Sequence, residues 1–260
     1  MNTLKILLGV IVIIYLGLCA YLYFTQESQI FERDDATKIK IVPSIKNVKE
    51  VSFEVEKGIS LYGKHKIAPN STKPIIIYFG GNSSDITTFF NHTPQLDEYE
   101  MISFNYRGYI NSGGTPSEKK FFQDAIKIYD RYKNNKEVIV VGRSLGSGVG
   151  TYLASKRDVK TLVLLTPYDS IASMAKRKYP IFPIDFLLNH KFESIKYIKE
   201  VKSPIVLFEV KGDTTIKKYH FDRLKQEIKN IQNHVVFTNI SHGDILKHKD
   251  FQEKLKENLK

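Results

Sequence analysis

The segment VIVVGRSLGSGVG, residues 138–150, combines a strand, a sharp turn and a helix. Apolar, mostly β-branched residues lead into Gly142, and Ser144 lies between Gly142 and Gly146. In the spacing G-x-S-x-G, glycine removes the collisions that side chains at the flanking positions would make with the neighbouring strand and helix. The turn presents the Ser144 hydroxyl above the sheet, where the N-terminus of the next helix favours developing negative charge. The segment therefore predicts a nucleophile; the alternative is a strand-to-helix turn with an incidental serine.

Further apolar runs along the chain have the length and composition of strands buried on both faces. They are residues 73–82, 101–108, 137–142, 160–167, 204–210 and 234–240. Alternating residues on both sides of Lys57-Gly58 predict a hairpin before them. Amphipathic stretches at residues 117–133, 217–230 and 251–259 predict helices between and after the strands. Strands that alternate with helices predict an α/β fold with a mostly parallel sheet covered on both faces.

A nucleophilic serine requires a base, and the base requires an orienting acid. In this architecture the acid and then the histidine follow the serine along the chain. Asp213 comes just after the run at residues 205–210, and His242 comes just after the run at residues 234–240. Both residues are therefore expected at the sheet edge that carries Ser144. The alternatives are a turn aspartate and a loop histidine, with Asp169 as the reserve acid.

Backbone N–H groups that bind the oxyanion of an acyl-transfer intermediate are expected at two places. One is the residue after the nucleophile, Leu145, and the other lies in the loop after the first buried parallel strand. In that loop Gly80 and Gly81 allow close approach of the backbone, and Asn82 is the expected donor. The same glycines are also compatible with a turn that caps the next helix.

The N-terminus differs in kind from the rest of the chain. Residues 6–24 form an uncharged apolar run of 19 residues, which is long enough to cross the hydrocarbon core of a bilayer. No short apolar region with a small-residue cleavage site is evident, so the run predicts an uncleaved single-pass anchor. We expect residues 1–24 to be the anchor, residues 25–50 a polar tether and residues 51–260 the catalytic domain. A very short tail before the anchor favours an extracytoplasmic domain.

The formal charge of +11 comes from 39 Lys and Arg residues spread along the chain. A solvated lysine-rich surface explains them better than nucleic-acid binding, which requires a concentrated patch. Cys19 is the single cysteine, so an internal disulfide and a cysteine-based zinc site are excluded. Without a metal-binding or nucleotide-binding motif, we expect neither a metal nor another cofactor.

The segments IIIYFGGNSSD, FNYRGYINSGGTPSE, VVGRSLGSGVG, TPYDSIASMAKRKYP and ISHGD, in this order, resemble the α/β-hydrolase family. Among its branches they resemble the compact, membrane-tethered serine hydrolases that include protein depalmitoylases. The resemblance implies Ser144 as nucleophile, Asp213 as acid, His242 as base, and Asn82 and Leu145 as oxyanion donors. Relatives usually carry His-Gly before the acid loop, where this chain has Glu209-Val210, so the position of the acid is less well defined.

The resemblance also implies a short helical flap, residues 168–201, where other members carry a lid. We expect some of the apolar residues of this flap to line an acyl pocket with Phe89, Phe90 and Ile110. The implied function is hydrolysis of carboxylic esters or thioesters, with a small-molecule or acylated substrate. An aminopeptidase or amidase on the same fold, and a non-catalytic membrane-tethered interaction protein, are the alternatives.

Overall fold

The computed structural model describes residues 2–33, 47–68, 71–83 and 85–259. In these residues eight strands form one sheet: β1 Val48–Glu56, β2 Ile59–Lys66, β3 Ile75–Phe79, β4 Met101–Phe104, β5 Val138–Arg143, β6 Thr161–Leu165, β7 Ile205–Val210 and β8 Ile231–Phe237. The strand order is β1-β2-β4-β3-β5-β6-β7-β8. Pairing is antiparallel from β1 to β4 and parallel from β4 through β8. The predicted hairpin and mostly parallel sheet are confirmed.

Helices connect the strands and cover the sheet. They are α1 Asn2–Ile30, α2 Thr87–Asn91, α3 Glu118–Tyr132, α4 Leu145–Lys156, α5 Ile171–Lys178, α6 Ile184–Leu187, α7 Ser194–Tyr197, α8 Lys218–Gln226 and α9 Phe251–Glu257. The N-cap of α3 is Ser117, the first residue of the stretch predicted as this helix, and its hydroxyl accepts a hydrogen bond from the Lys120 N–H at 3.3 Å. The predicted helix at residues 217–230 ends earlier, at Gln226, and residues 227–230 connect it to β8, which begins at Ile231.

Successive residues of the central strands point to opposite faces of the sheet, and both faces are buried. On β3, Ile75 and Ile77 pack into the core that includes α3 and α4. Ile76 and Tyr78 pack into the core that includes α2 and α9. This two-sided burial explains why the parallel strands are continuous apolar runs rather than alternating patterns.

Helix α1 is long and apolar enough to cross a membrane, by length and composition. It continues six residues beyond the predicted anchor, to Ile30, and Phe31 is only 2% exposed. The Phe31 ring packs against Phe121, His190 and Phe192. The predicted tether at residues 25–50 is therefore wrong at its beginning, because residues 25–33 are helix and docked chain.

The end of the predicted tether also differs, because β1 begins at Val48 and pairs there with Lys66 of β2. Residues 34–46 of the predicted tether lie outside the described residues. The chain between β6 and β7 carries α5, α6 and α7, and we call residues 168–201 the flap. It forms short helices, as the resemblance implies.

Candidate active site

The turn between β5 and α4 holds Ser144 in a backbone conformation that non-glycine residues rarely adopt. Ser144 has φ 51° and ψ −119°. A Cβ atom on Gly142 would lie 2.4 Å from the Gly146 carbonyl oxygen, and one on Gly146 would lie 2.2 Å from the Phe79 carbonyl oxygen. Both glycines are therefore required for the close approach of β5, α4 and β3. The turn has the geometry that the spacing G-x-S-x-G predicts.

A continuous chain of hydrogen bonds joins Ser144, His242 and Asp213. The distance from the Ser144 Oγ to the His242 Nε2 is 2.8 Å, and that from the His242 Nδ1 to the Asp213 Oδ2 is 2.6 Å. His242 begins the short 3₁₀ helix after β8, and Asp213 lies in the turn after β7. The parallel register brings these strand ends to one edge, so residues separated by up to 98 positions meet.

The carboxylate of Asp213 is fixed on its other side by its own turn. Its Oδ1 accepts hydrogen bonds from the backbone N–H groups of Thr215 at 2.8 Å and Ile216 at 2.9 Å. The Oδ2 is thereby aimed at the imidazole. Despite the departure at Glu209-Val210, Asp213 lies within hydrogen-bond distance of His242, and Glu209 itself bonds His234.

The reserve acid, Asp169, belongs to a different network. Its side chain is fully buried, and its carboxylate bonds the His220 Nδ1 at 2.8 Å and the Arg223 Nη1 at 2.8 Å. The Ser170 N–H also donates to it at 2.7 Å. These contacts connect the flap to α8 and leave Asp213 as the carboxylate that bonds His242.

An open cavity of about 500 Å³ lies over Ser144 and His242. The predicted oxyanion residues, Asn82 and Leu145, both line it. Because Leu145 is the first residue of α4, its end of the helix presents positive partial charge to the cavity. Four of the predicted site residues therefore line one cavity: Asn82, Ser144, Leu145 and His242.

One wall of this cavity was not predicted from the sequence. Gln29, Ile30 and Glu32, from the segment predicted as tether, line it together with the catalytic loops. The Asn82 Oδ1 accepts a hydrogen bond from the Glu32 N–H at 3.2 Å and another from the Tyr109 hydroxyl at 2.8 Å. Burial raises the pKa of Tyr109, which keeps its phenol protonated as a donor. No sequence pattern indicated that this segment returns to the sheet edge.

The apolar residues of the cavity also differ from those expected. Phe89 and Phe90 are almost fully buried beneath β3, where the Phe89 ring stacks on Tyr78 with centroids 3.9 Å apart. Ile110 packs against the other core. The prediction that these three line an acyl pocket is wrong, since α2 covers the sheet rather than the cavity.

The flap does contribute apolar side chains to the cavity, namely Ile171 and Met174 of α5. Ile216, from the loop after β7, adds a further apolar side chain.

Within the described ranges, no group of three or more His, Cys, Asp or Glu side chains is arranged to hold a metal ion.

Comparisons with known proteins find relatives along much of the chain. No family model matches it. An uncharacterized protein of Mycobacterium tuberculosis is 26% identical over 215 residues, which cover 78% of this chain and 76% of that protein. The lysophosphatidylserine lipase ABHD12 of Rattus norvegicus is 29% identical over 180 residues, which cover 59% of this chain and 44% of the lipase. The chain thus spans less than half the length of that lipase.

Solved structures show the same fold at low sequence identity. A putative hydrolase from Agrobacterium vitis has a TM-score of 0.65 at 15% identity and covers 82% of this chain and 99% of that one. The esterase Pf2001 of Pyrococcus furiosus has a TM-score of 0.60 at 17% identity and covers 84% and 94%. The narrower resemblance to protein depalmitoylases stays a prediction. In its sheet order, its connections and the solved structures that it matches, the chain has the α/β-hydrolase fold, and its relatives support a hydrolase.

Proposed function

We propose that the chain is a serine hydrolase that cleaves carboxylic esters or thioesters with Ser144, His242 and Asp213 as its triad. The observation that carries this proposal is the hydrogen-bond chain from the Ser144 Oγ through the imidazole to the Asp213 carboxylate. It begins at a serine held in a strained turn at the start of α4.

In the proposed reaction, the His242 Nε2 takes the proton from the Ser144 Oγ while the oxygen attacks the acyl carbon. The N–H groups of Leu145 and Asn82 stabilise the negative charge that develops on the carbonyl oxygen. The bond to the leaving group then breaks, and His242 gives its proton to the departing alkoxide or thiolate. An acyl-enzyme remains on Ser144.

A water molecule then attacks the acyl carbon and gives a proton to His242. The bond between the acyl carbon and the Ser144 Oγ breaks, the carboxylic acid leaves, and His242 returns the proton to the Ser144 Oγ. Throughout, the carboxylate of Asp213 accepts the Nδ1–H of the imidazole and stabilises its protonated form. In this tautomer the Nε2 faces Ser144 as an acceptor. An amide substrate assayed beside each ester distinguishes the proposed esterase from an aminopeptidase or amidase on the same fold.

The membrane and the relatives narrow the substrate class. We propose that residues 1–24 of α1 anchor the protein in a bilayer by a single span, with an extracytoplasmic catalytic domain. The relatives named as lysophosphatidylserine lipases support a lipid ester with one acyl chain as the substrate. An anchored enzyme meets such substrates at raised effective concentration.

Labelling with a fluorophosphonate probe tests the nucleophile. Wild-type protein is expected to be labelled, and Ser144→Ala is expected to lose the label. Ser241→Ala is the matched control, because Ser241 lines the same cavity and bonds Asp244 rather than the imidazole. Equal labelling of Ser144→Ala and the wild type would reject the assignment. Absence of label from the wild type would favour the non-catalytic alternative.

A further inference from the structure

The flap lies alongside α1 over a long stretch of the helix. The Tyr15 ring stacks on the Phe182 ring with centroids 5.6 Å apart, and the Tyr15 hydroxyl donates to the Ile181 carbonyl at 2.9 Å. Eleven residues further on, the Gln26 Nε2 donates to the Leu187 carbonyl at 2.9 Å. The flap therefore follows the helix for about 16 Å, at about 1.5 Å per residue.

The contact uses one face of α1. Buried or half-buried positions on this helix include Tyr15, Cys19, Leu22, Gln26 and Ile30, which recur at intervals of three or four residues. Such a stripe is what a helix packed against a second element displays. A freely moving anchor would show no such face.

The height of this contact on the helix has a consequence for the flap. If the flap tip at Tyr15 were in water, only residues 6–14 of the apolar run at residues 6–24 would lie in the membrane. Nine residues extend about 14 Å, which is well short of the roughly 30 Å hydrocarbon core. A spanning α1 therefore carries the tip of the flap into the bilayer.

The chemistry of the tip suits this position. The segment 179–188 is YPIFPIDFLL, in which Ile181 is 71% exposed and Phe186 is 88% exposed. Its one acidic residue, Asp185, pairs with Lys176 at 2.8 Å. Lys176 opens the cationic run Lys176-Arg177-Lys178 at the end of α5. An apolar tip beside a row of cations matches an interfacial segment with anionic lipid headgroups around it.

A second, smaller cavity lies between α1 and the flap. Its apolar lining includes Leu22, Ile171, Ala175, Ile184, Leu187 and Leu188. Gln29, Ile30 and Ile171 line this cavity and also the cavity over Ser144, so the two adjoin. One wall is the membrane helix itself, and the other is the flap tip. We call this second cavity the α1–flap groove.

We propose that the flap tip inserts into the membrane beside α1, and that the α1–flap groove admits the single acyl chain of a bilayer lipid laterally to Ser144. The inference rests on the proposed function, and it adds the route and the part of the substrate that is recognised. The ester carbonyl lies at Ser144, the acyl chain lies in the groove, and the headgroup remains on the polar side of the catalytic cavity.

Tryptophan fluorescence tests the insertion without any reference to catalysis. The chain contains no tryptophan, so Phe186→Trp places a single tryptophan at the exposed tip. The full-length protein is reconstituted in phosphatidylcholine vesicles that contain phosphatidylglycerol. Acyl-brominated lipids are expected to quench Phe186→Trp, and aqueous acrylamide is not. Tyr62→Trp is the matched control, because Tyr62 is 45% exposed on β2, the strand next to the edge strand β1.

Filling the groove tests the acyl route. Ala175 lines the groove but not the cavity over Ser144, so Ala175→Phe blocks only the groove. For folded, vesicle-bound protein we expect kcat/KM on a long-chain lysophospholipid to fall at least about tenfold, while that on a short water-soluble ester is unchanged. The rate of Ala175→Phe on the short water-soluble ester is the internal control, because that ester has no long acyl chain to place in the groove. Ala175→Leu replaces Ala175→Phe if the ring prevents folding.

Two results would overturn the proposal. One is quenching of Phe186→Trp by acrylamide to the same extent as Tyr62→Trp. The other is a groove-filling variant that lowers both rates by the same factor, or neither. A wild-type protein that hydrolyses neither ester and resists fluorophosphonate would instead contradict the proposed function, whichever way the fluorescence falls.

Discussion

Replacing Asp213 by asparagine is expected to disable the proposed triad while leaving the fold intact. The Asp213 Oδ1 accepts two backbone N–H groups, and an asparagine oxygen keeps both bonds. Its amide nitrogen then faces the His242 Nδ1, where the carboxylate had accepted at 2.6 Å. The imidazole must accept at Nδ1 and carry its proton on Nε2, so it can no longer take the proton from Ser144. We expect kcat to fall by about 10⁴, which corresponds to about 5 kcal/mol.

Asp169→Asn should produce the opposite pattern, which makes it the matched control. The Asp169 carboxylate is fully buried between His220 and Arg223. Removing one partner of a buried ion pair costs about 3–5 kcal/mol, and the lower end applies here because the Arg223 side chain is 39% exposed. For a chain of this size, about 3 kcal/mol lowers the Tm by roughly 6–12 °C. The kcat per folded molecule should stay close to that of the wild type.

The assay measures kcat on a short soluble ester and the Tm by circular dichroism for both variants. Rates are divided by the folded fraction at the assay temperature, so that loss of fold is not counted as loss of chemistry. A larger loss of kcat in Asp169→Asn than in Asp213→Asn would refute the assignment of the acid. A large fall in the Tm of Asp213→Asn would show that its turn, rather than the imidazole, depends on the carboxylate.

Three further changes test the turn and the N-terminal segment. Gly146→Ala should lower the free energy of unfolding by about 1–3 kcal/mol and abolish fluorophosphonate labelling, because its Cβ would lie 2.2 Å from the Phe79 carbonyl oxygen; full labelling would contradict this. Phe31→Ala should lower the free energy of unfolding, measured with urea, by about 3–5 kcal/mol, since Phe31 is 2% exposed. Removing residues 1–24 keeps Gln26, Ile30 and Phe31, so the rate on a soluble ester should persist while the rate on vesicle lipids falls; a folded but inactive product would show that the anchor belongs to the catalytic unit.

The sheet and the geometry of the proposed triad were predictable because both depend on local sequence patterns and on the parallel arrangement of the strands. Runs such as residues 137–142 and 204–210 are apolar throughout, and strands buried on two faces must be. Parallel strands then bring their carboxyl ends to one edge, so a polar residue just after each strand is a candidate for the site. Ser144, Asp213 and His242 each occupy such a position, and the structure connects them by hydrogen bonds.

The surface against which a side chain packs was less predictable where a helix could contact either of two neighbouring surfaces. Phe89 and Phe90 follow the oxyanion loop closely in sequence, which suggested the cavity. A five-residue helix directly after that loop instead turns both rings under β3, where Tyr78 offers a stacking partner. Proximity along the chain cannot distinguish the two outcomes, because both bury the same apolar area.

The segment at residues 25–33 shows most clearly where reasoning from composition ends. Its sequence, TQESQIFER, is polar enough for a tether, yet its docking uses amides and one aromatic ring rather than an apolar run. The Gln26 side chain bonds the Leu187 carbonyl and the Asn189 N–H, while Phe31 enters the core. Contacts of this kind depend on the partner's free backbone groups, which have no signature in the sequence of the segment itself.

Because the helix runs without a break from Asn2 to Ile30, the same docking fixes α1 relative to the cavity over Ser144. If α1 spans a membrane as we propose, it is also a wall of the cavity over Ser144, whereas a tethered helix would only hold the protein near its substrate.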